Sequence, residues 1–425
     1  MGHGAVVAAS LWVVAVVAVV GCGDTTGPNT APKDAMGPVD AAPDTVAADT
    51  APGDAPDTTT PSPCEGFACP EVPDRCSVDH TEALSFAPGV CDDSTGQPVC
   101  APVPTAEACG AAGLCMSGAC REIGTFCDFP LPDHASLLTV MVLGGLSPVV
   151  DPATGEPDDQ CCTDFDGDGR IDNGAGAVIA SLEPFLGPAA DVTMGAVARA
   201  TPIFGLYGVD DLADDPDVTL VVTEGELYDA PSETISLAAH GFTPGTVHPL
   251  GIFSGAIAGG VFSSESGYYD LVLGTKDISF PIRVDQARVA FAVTPGAGPS
   301  TGFALGGPPG RARGWFSGVT AVDGWLAGLN VSARALCTCS EFDDPDEPVI
   351  DPATRRCKTV YAPPGCEEAE SLCRLLTTSA EVCDIVVAML APDLDLDGNG
   401  VLDHGSMGAW LEGAPVVVRG REDCN

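Results

Sequence analysis

The sequence predicts a multidomain protein: a mainly antiparallel β main domain, sandwich-like with flanking helices (α+β), plus a small disulfide-rich module and a disordered N-terminal linker. Three observations predict this. Ile278, Phe280, Ile282 and Val284, then Val289, Phe291 and Val293, alternate with polar or small residues; eight cysteines crowd into residues 64–120; and Gly23–Pro63 holds no aromatic residue. Period-two alternation marks half-buried strands, and a segment without large apolar groups cannot pay for folding with a core. Composition agrees, because 51 Gly and 38 Pro among 425 residues imply a chain that turns often.

Residues 1–22 come first. Ala5–Val20 is an apolar run broken only by Ser10, the length of a signal-peptide core and short for a bilayer span. It ends in Val19-Val20-Gly21-Cys22, which resembles the bacterial lipobox, although Met1-Gly2-His3-Gly4 lacks the usual Lys or Arg. That resemblance implies removal of a lipoprotein signal peptide and acylation of the Cys22 thiol. The expected location is exported and lipid-anchored. Gly23 after the lipidated cysteine favours the outer membrane or cell surface over the inner membrane, with Asp24 one place later weakening that preference.

Residues 23–63 form the linker. Eight prolines and seven aspartates stand against the single Lys33, so the stretch should be extended and disordered, reaching on the order of 100 Å. Residues 64–120 form the module, with Cys64, Cys69, Cys76, Cys91, Cys100, Cys109, Cys115 and Cys120 separated by Gly, Pro and Asp. So little core needs covalent staples, and four internal disulfides would supply them, in a connectivity that sequence leaves open. Cys127, Cys161, Cys162, Cys337, Cys339, Cys357, Cys366, Cys373, Cys383 and Cys424 remain for the main domain, an even number. A set this large, without zinc or iron–sulfur spacing, points to an oxidising compartment. Cys161 and Cys162 are expected to join Cys337 and Cys339, since adjacent cysteines bond each other only under strain.

Residues 127–425 form the main domain. Val218–Val222, Tyr268–Val272 and Gly314–Phe316 add β-type runs, and short strands broken by Gly and Pro suggest a sandwich or an open barrel. Val178, Ile179, Leu182 and Leu186 keep helical spacing, and Thr378-Ser-Ala-Glu381 is a capping box before Val382, Ile385, Val386, Met389 and Leu390.

Two loops, at 164–175 and 395–406, carry the strongest chemical pattern. Asp164, Asp166 and Asp168 occupy positions 1, 3 and 5 of the first, with Arg170 at 7 and Asp172 at 9. Asp395, Asp397, Asn399, Val401 and Asp403 repeat the pattern in the second. Oxygens at 1, 3 and 5 converge on one cation, Gly169 and Gly400 make the turn at 6, and the carbonyls of Arg170 and Val401 supply position 7. Ile171 and Leu402 are expected to pack inward. The loops resemble those of EF-hands, dockerins and thrombospondin-type repeats, which implies structural Ca2+. They depart from all three at position 12, where Ala175 and Ser406 replace an acid; Asp393 offers a substitute ligand, or affinity falls to roughly 10⁻⁴–10⁻³ M.

The order of parts also resembles that of uncharacterised Cys-rich bacterial surface lipoproteins, with their lipobox, acidic Pro-rich linker, small disulfide module and two Asp loops. Charge narrows the partners: 60 acids against 17 bases give a net charge of -43, which repels nucleic acid and suits divalent cations. No catalytic residue is nominated. The six histidines form no His-Glu-x-x-His pair, and Gly251-Ile-Phe-Ser254-Gly255 lacks the spacing of a nucleophile elbow. The expectation is a membrane-anchored, non-catalytic lipoprotein for envelope contact, adhesion or recognition of an extracellular protein or glycan. The alternatives are a calcium-stabilised secreted hydrolase and a calcium-dependent assembly module.

Overall fold

Alternation hides one face of a strand, and the hidden faces here converge on a closed barrel. The structure, a computed structural model, describes residues 69, 72, 74–92, 99–143, 149–150, 157–158, 163–174, 201–229, 234–243, 246–274, 279–296, 302–311, 313–336, 348–351, 353–357, 387, 392–422 and 424. Two compact units divide the chain: the larger contains Pro73–Phe86 and Pro104–Asn425, and the smaller includes Ala87–Val103.

The first five strands are β1 (Arg75–Cys76), β2 (Glu82–Asp92), β3 (Val99–Ala108), β4 (Gly113–Met116) and β5 (Ala119–Glu122). β1, β2 and β3 form one sheet, and β4 and β5 form a hairpin. Next come β6 (His134–Leu143), the short pair β7 (Val149–Val150) and β8 (Pro157–Asp158), β9 (Thr201–Tyr207), β10 (Asp215–Asp229) and β11 (Thr234–Leu237). β12 (Gly251–Ala258), β13 (Val261–Ser264), β14 (Gly267–Gly274), β15 (Ser279–Pro295), β16 (Phe303–Gly306) and β17 (Gly314–Ala321) lead into helix α1 (Val322–Leu336). The short pair β18 (Ile350–Asp351) and β19 (Arg356–Cys357) precedes β20 (His404–Arg421).

The antiparallel β architecture is as expected, but two stacked sheets are not how it covers its edges. β6–β9–β10–β12–β14–β15–β17–β20 form a ring of antiparallel neighbours that returns from β20 to β6. Closure replaces the sandwich because the long strands bend. In β15 the inward phase of Ile282 and Val284 resumes at Ala287, Val289 and Phe291, one residue out of step, and Gln286 (φ 47°) takes up the extra residue. The bend lets β15 pair with β14 and β17 along one part and with β13 and β16 along the other. Gly318 faces this bulge; a Cβ there would overlap Val284 Cγ1. β20 pairs with β17 and then β6, with its own register shift between Glu412 and Gly413.

Side chains fill the barrel. Leu138, Met141, Phe204, Leu206, Val218, Leu220, Val222, Phe253, Phe262 and Phe291 belong to one buried cluster, within which Phe291 stacks on Phe262 and Phe303 and meets Phe204 edge-on. The cavity left among Leu138, Phe204, Tyr269, Phe316 and their neighbours is about 10 Å³, the space of a single water. Alternate residues of the same strands, Ile203, Tyr207, Val221, Ile252 and Tyr268, face outward into a second core. Leu114 and Met116 of β4 and Ile235 and Leu237 of β11 cover them there.

Four disulfides are described: Cys69–Cys100, Cys76–Cys115, Cys109–Cys120 and Cys127–Cys424. The last joins the segment before β6 to the end of β20, where Arg421 Nε also donates to Phe129 O at 2.6 Å. The expected Cys161/Cys162–Cys337/Cys339 linkage lies outside the described residues, as do Cys22, Cys64, Cys366, Cys373, Cys383, the 23–63 linker and the helix after Ala175. Of the helix expected after Glu381, only Val387 is described. It is helical and buried with Val322, Leu326 and Ile350.

Helix α1 was not foreseen. Val322 and Leu326 face this small core, and Trp325 packs against the barrel cluster. Asn330 pairs with the backbone of Ile350 as a strand neighbour would, accepting its N–H at 2.7 Å and donating to its carbonyl at 3.0 Å.

Candidate metal centre

Aspartate side chains accept from amides two to five residues ahead, which winds a Gly-containing segment into a tight loop. In the first loop Asp164 accepts from the amides of Gly167 (2.6 Å) and Gly169 (2.9 Å), Asp166 from Asp168 (2.9 Å), and Asp168 from Arg170 (2.8 Å). Gly167 and Gly169 take positive φ, 77° and 86°, at the points of sharpest turning. A bridge from Thr163 to Asp172 closes the base, and Asp172 accepts from Phe165 N–H at 2.6 Å.

This winding brings oxygens of Asp164, Asp166 and Asp172 within 4.8 Å of one another. Burial, with the nearby charges of Asp166 and Asp393, raises the Asp172 carboxyl above its ordinary range despite the Phe165 amide. A divalent cation would relieve that repulsion. Asp168 is not in the convergent trio, and Arg170 is exposed.

The second loop repeats the winding. Asp395 accepts from Asn399 (3.1 Å) and Gly400 (2.6 Å), and Asn399 Oδ1 accepts from Val401 N–H at 2.7 Å. Three of its ligand groups, however, are engaged by side chains. Asn399 donates its amide to Asp397 at 2.8 Å, and Asp403 is 2.5 Å from His404 Nδ1. Leu402, expected to pin the loop from inside, is 49% exposed, as is Val401 at 59%. Leu394 does that work instead: it is buried, and its backbone bridges His404.

The two loops meet on β20, a juxtaposition that sequence spacing alone does not reveal. Asp393, considered above as a ligand of the second loop, accepts from Ser406 N–H at 2.7 Å and from the Ser406 hydroxyl. Ser406 Oγ in turn accepts from Gly174 N–H at 2.7 Å, and Gly408 N–H donates to Asn173 Oδ1 at 3.0 Å. Thr163 bonds Ser317 of β17, Oγ to Oγ, at 2.6 Å. Ser406 thus stands where an EF-hand would place an acid, and serves as the joint between the loops; Ala175 lies outside the described residues.

Elsewhere, buried Glu224 lies 3.6 Å from His240. Arg283 stacks over Tyr268 and pairs with Asp270 at 3.1 Å and Asp285 at 3.2 Å. No family model matches this chain, and neither a curated protein nor a solved structure does.

Proposed function

We propose that this chain is an exported lipoprotein, anchored through acylated Cys22. In this reading a disulfide-stapled ectodomain binds Ca2+ in its paired Asp loops and engages an extracellular protein or glycan by its surface. The observation that carries the metal part is the convergence of Asp164, Asp166 and Asp172 in a loop joined through Ser406 to a second of the same pattern. A barrel filled by its own side chains favours recognition by the exterior over enclosure of a ligand. The disulfides fit an oxidising exterior, and the lipobox and long acidic linker fit a tether that holds the ectodomain clear of a membrane.

Two measurements test this. Palmitate labelling in a lipoprotein-processing host should be lost in Cys22→Ala. Calorimetric titration with Ca2+ should show binding near 10⁻⁴–10⁻³ M that Asp166→Asn weakens at least tenfold. Unlabelled wild-type protein removes the anchor, and identical titrations of wild type and variant remove the metal.

A further inference from the structure

Burying a histidine fixes it neutral, so a buried histidine between two packed elements makes their union sensitive to acid. His80 is in that position. It is 1% exposed and sits at φ 57° in the turn between β1 and β2. It bonds Cys115 of β4 in both senses: its carbonyl accepts the Cys115 amide at 2.8 Å, and its Nδ1 lies 2.8 Å from the Cys115 carbonyl. Cys115 is also the disulfide partner of Cys76 in β1. β1, the Ser77–Thr81 turn and the β4–β5 hairpin are therefore fastened together as a cap. The cap meets the barrel's exterior: Leu114 and Met116 share a core with Phe242, Val247 and Tyr268, and Ser117 N–H donates to Thr219 Oγ1 at 3.3 Å.

We infer that His80 is an acid-sensitive latch, which fastens the Ser77–Thr81 turn to β4 while neutral and releases it once protonated. The charges facing it support this. Desolvation dominates and lowers its pKa to about 4, and His248, from the barrel loop, adds a like charge. Asp79 of the same turn opposes them, and hydrogen bonds from Ser77 Oγ at 2.7 Å and Thr81 Oγ1 at 2.9 Å keep its carboxylate charged. The bond to the Cys115 carbonyl also opposes them, and β4 presents no charged side chain to the ring in these contacts. Burial disfavours the charged form of His248, Asp79 favours it, and Arg283 of β15, engaged with Asp270 and Asp285, disfavours it further.

The sign follows from these values. Above about pH 6.5 His80 is neutral whether the cap is closed or open. Between about 6.5 and 4 the open form takes the proton in preference, so opening gains up to about tenfold per pH unit. Below about 4 the closed form is protonated too and the gain stops.

Hydrogen exchange of the full chain tests the latch, with rates corrected for intrinsic pH dependence. Between pH 6.5 and 4.5, protection at the Cys115 and Cys109 amides, which bond His80 O and Thr81 O, should fall about 40-fold, and at Val221 in β10 less than threefold. In His80→Asn, which tolerates positive φ, the slope should vanish. Flat protection in the wild type, an equal fall at Val221, or an unchanged slope in His80→Asn overturns the inference. Ring titration of His80 by NMR in the wild type decides it independently of whether the variant folds. A midpoint near 4 in the closed protein supports the latch, and one near 6.5 refutes it.

Discussion

The Cys127–Cys424 bridge closes a loop of sequence separation 297, longer than any other described disulfide, and its removal gives a magnitude that can be worked out. In the chain-entropy view, cross-linking restricts the unfolded ensemble by an amount that grows with the logarithm of loop length. For this loop that is about 5–6 kcal/mol at 25 °C. The folded state should hardly change, because Arg421 still bonds Phe129 O and the β20–β6 ladder still joins the same two ends. The double variant Cys127→Ala/Cys424→Ala should therefore lose about 5 kcal/mol in urea titration. Its m-value should rise, because the freed chain exposes more surface when it unfolds. With an unfolding entropy of about 2.1 cal/mol/K per residue over roughly 350 residues, Tm should drop by about 7 °C. Arg421→Met is the contrast: it acts on the folded state, costing about 1.5–3 kcal/mol with m unchanged. A double variant that loses under about 1 kcal/mol at constant m would refute the reasoning, because the unfolded chain would then be as restricted without the bridge as with it.

Other substitutions probe the barrel. Phe291→Ala removes the ring that touches Phe204, Phe262 and Phe303, and should cost about 3–5 kcal/mol by chemical denaturation. Gly318→Val puts methyl groups where Val284 already stands opposite the β15 bulge, and should cost about 1–3 kcal/mol in thermal melts.

The strands were legible where their chemistry is local. The alternation from Ile278 to Val293 predicts β15, and even its phase break, five positions from Val284 to Val289, records the bulge at Gln286. Closure was not legible, because sandwiches and barrels both read as alternating strands separated by turns. The difference lies in bends that add up around the ring. Helix α1 was hidden by Gly324, Gly328 and Asn330, each unfavourable in an isolated helix. Asn330 is there for its paired bonds to Ile350, which no local pattern announces. The Asp loops were legible because their winding is set by neighbours within a few residues. The inward role given to Leu402 failed because burial depends on what the loop packs against, and Leu394 holds that place.

The position of the loops determines what a bound metal would do to the barrel. Leu143 is the last β6 residue paired with β20, opposite Ala409, and the next amides of β20 are engaged by the loops: Gly408 by Asn173 and Ser406 by Asp393. The loops therefore extend the line along which the first and last barrel strands meet. Ca2+ at about ten times its Kd would add roughly 1.4 kcal/mol per site. That stabilisation should be felt first at this closure. Chelation should thus raise hydrogen exchange at Ser406 and Gly408 ahead of β12 and β14, which lie across the ring. It should also lower Tm by a few degrees without unfolding the barrel at 25 °C. If exchange rose evenly around the ring, the loops would be ornaments on an independent barrel; if it did not rise at all, they would hold no metal. A rise confined to the β6–β20 line would make the metal the clasp of a cylinder whose interior already holds itself together.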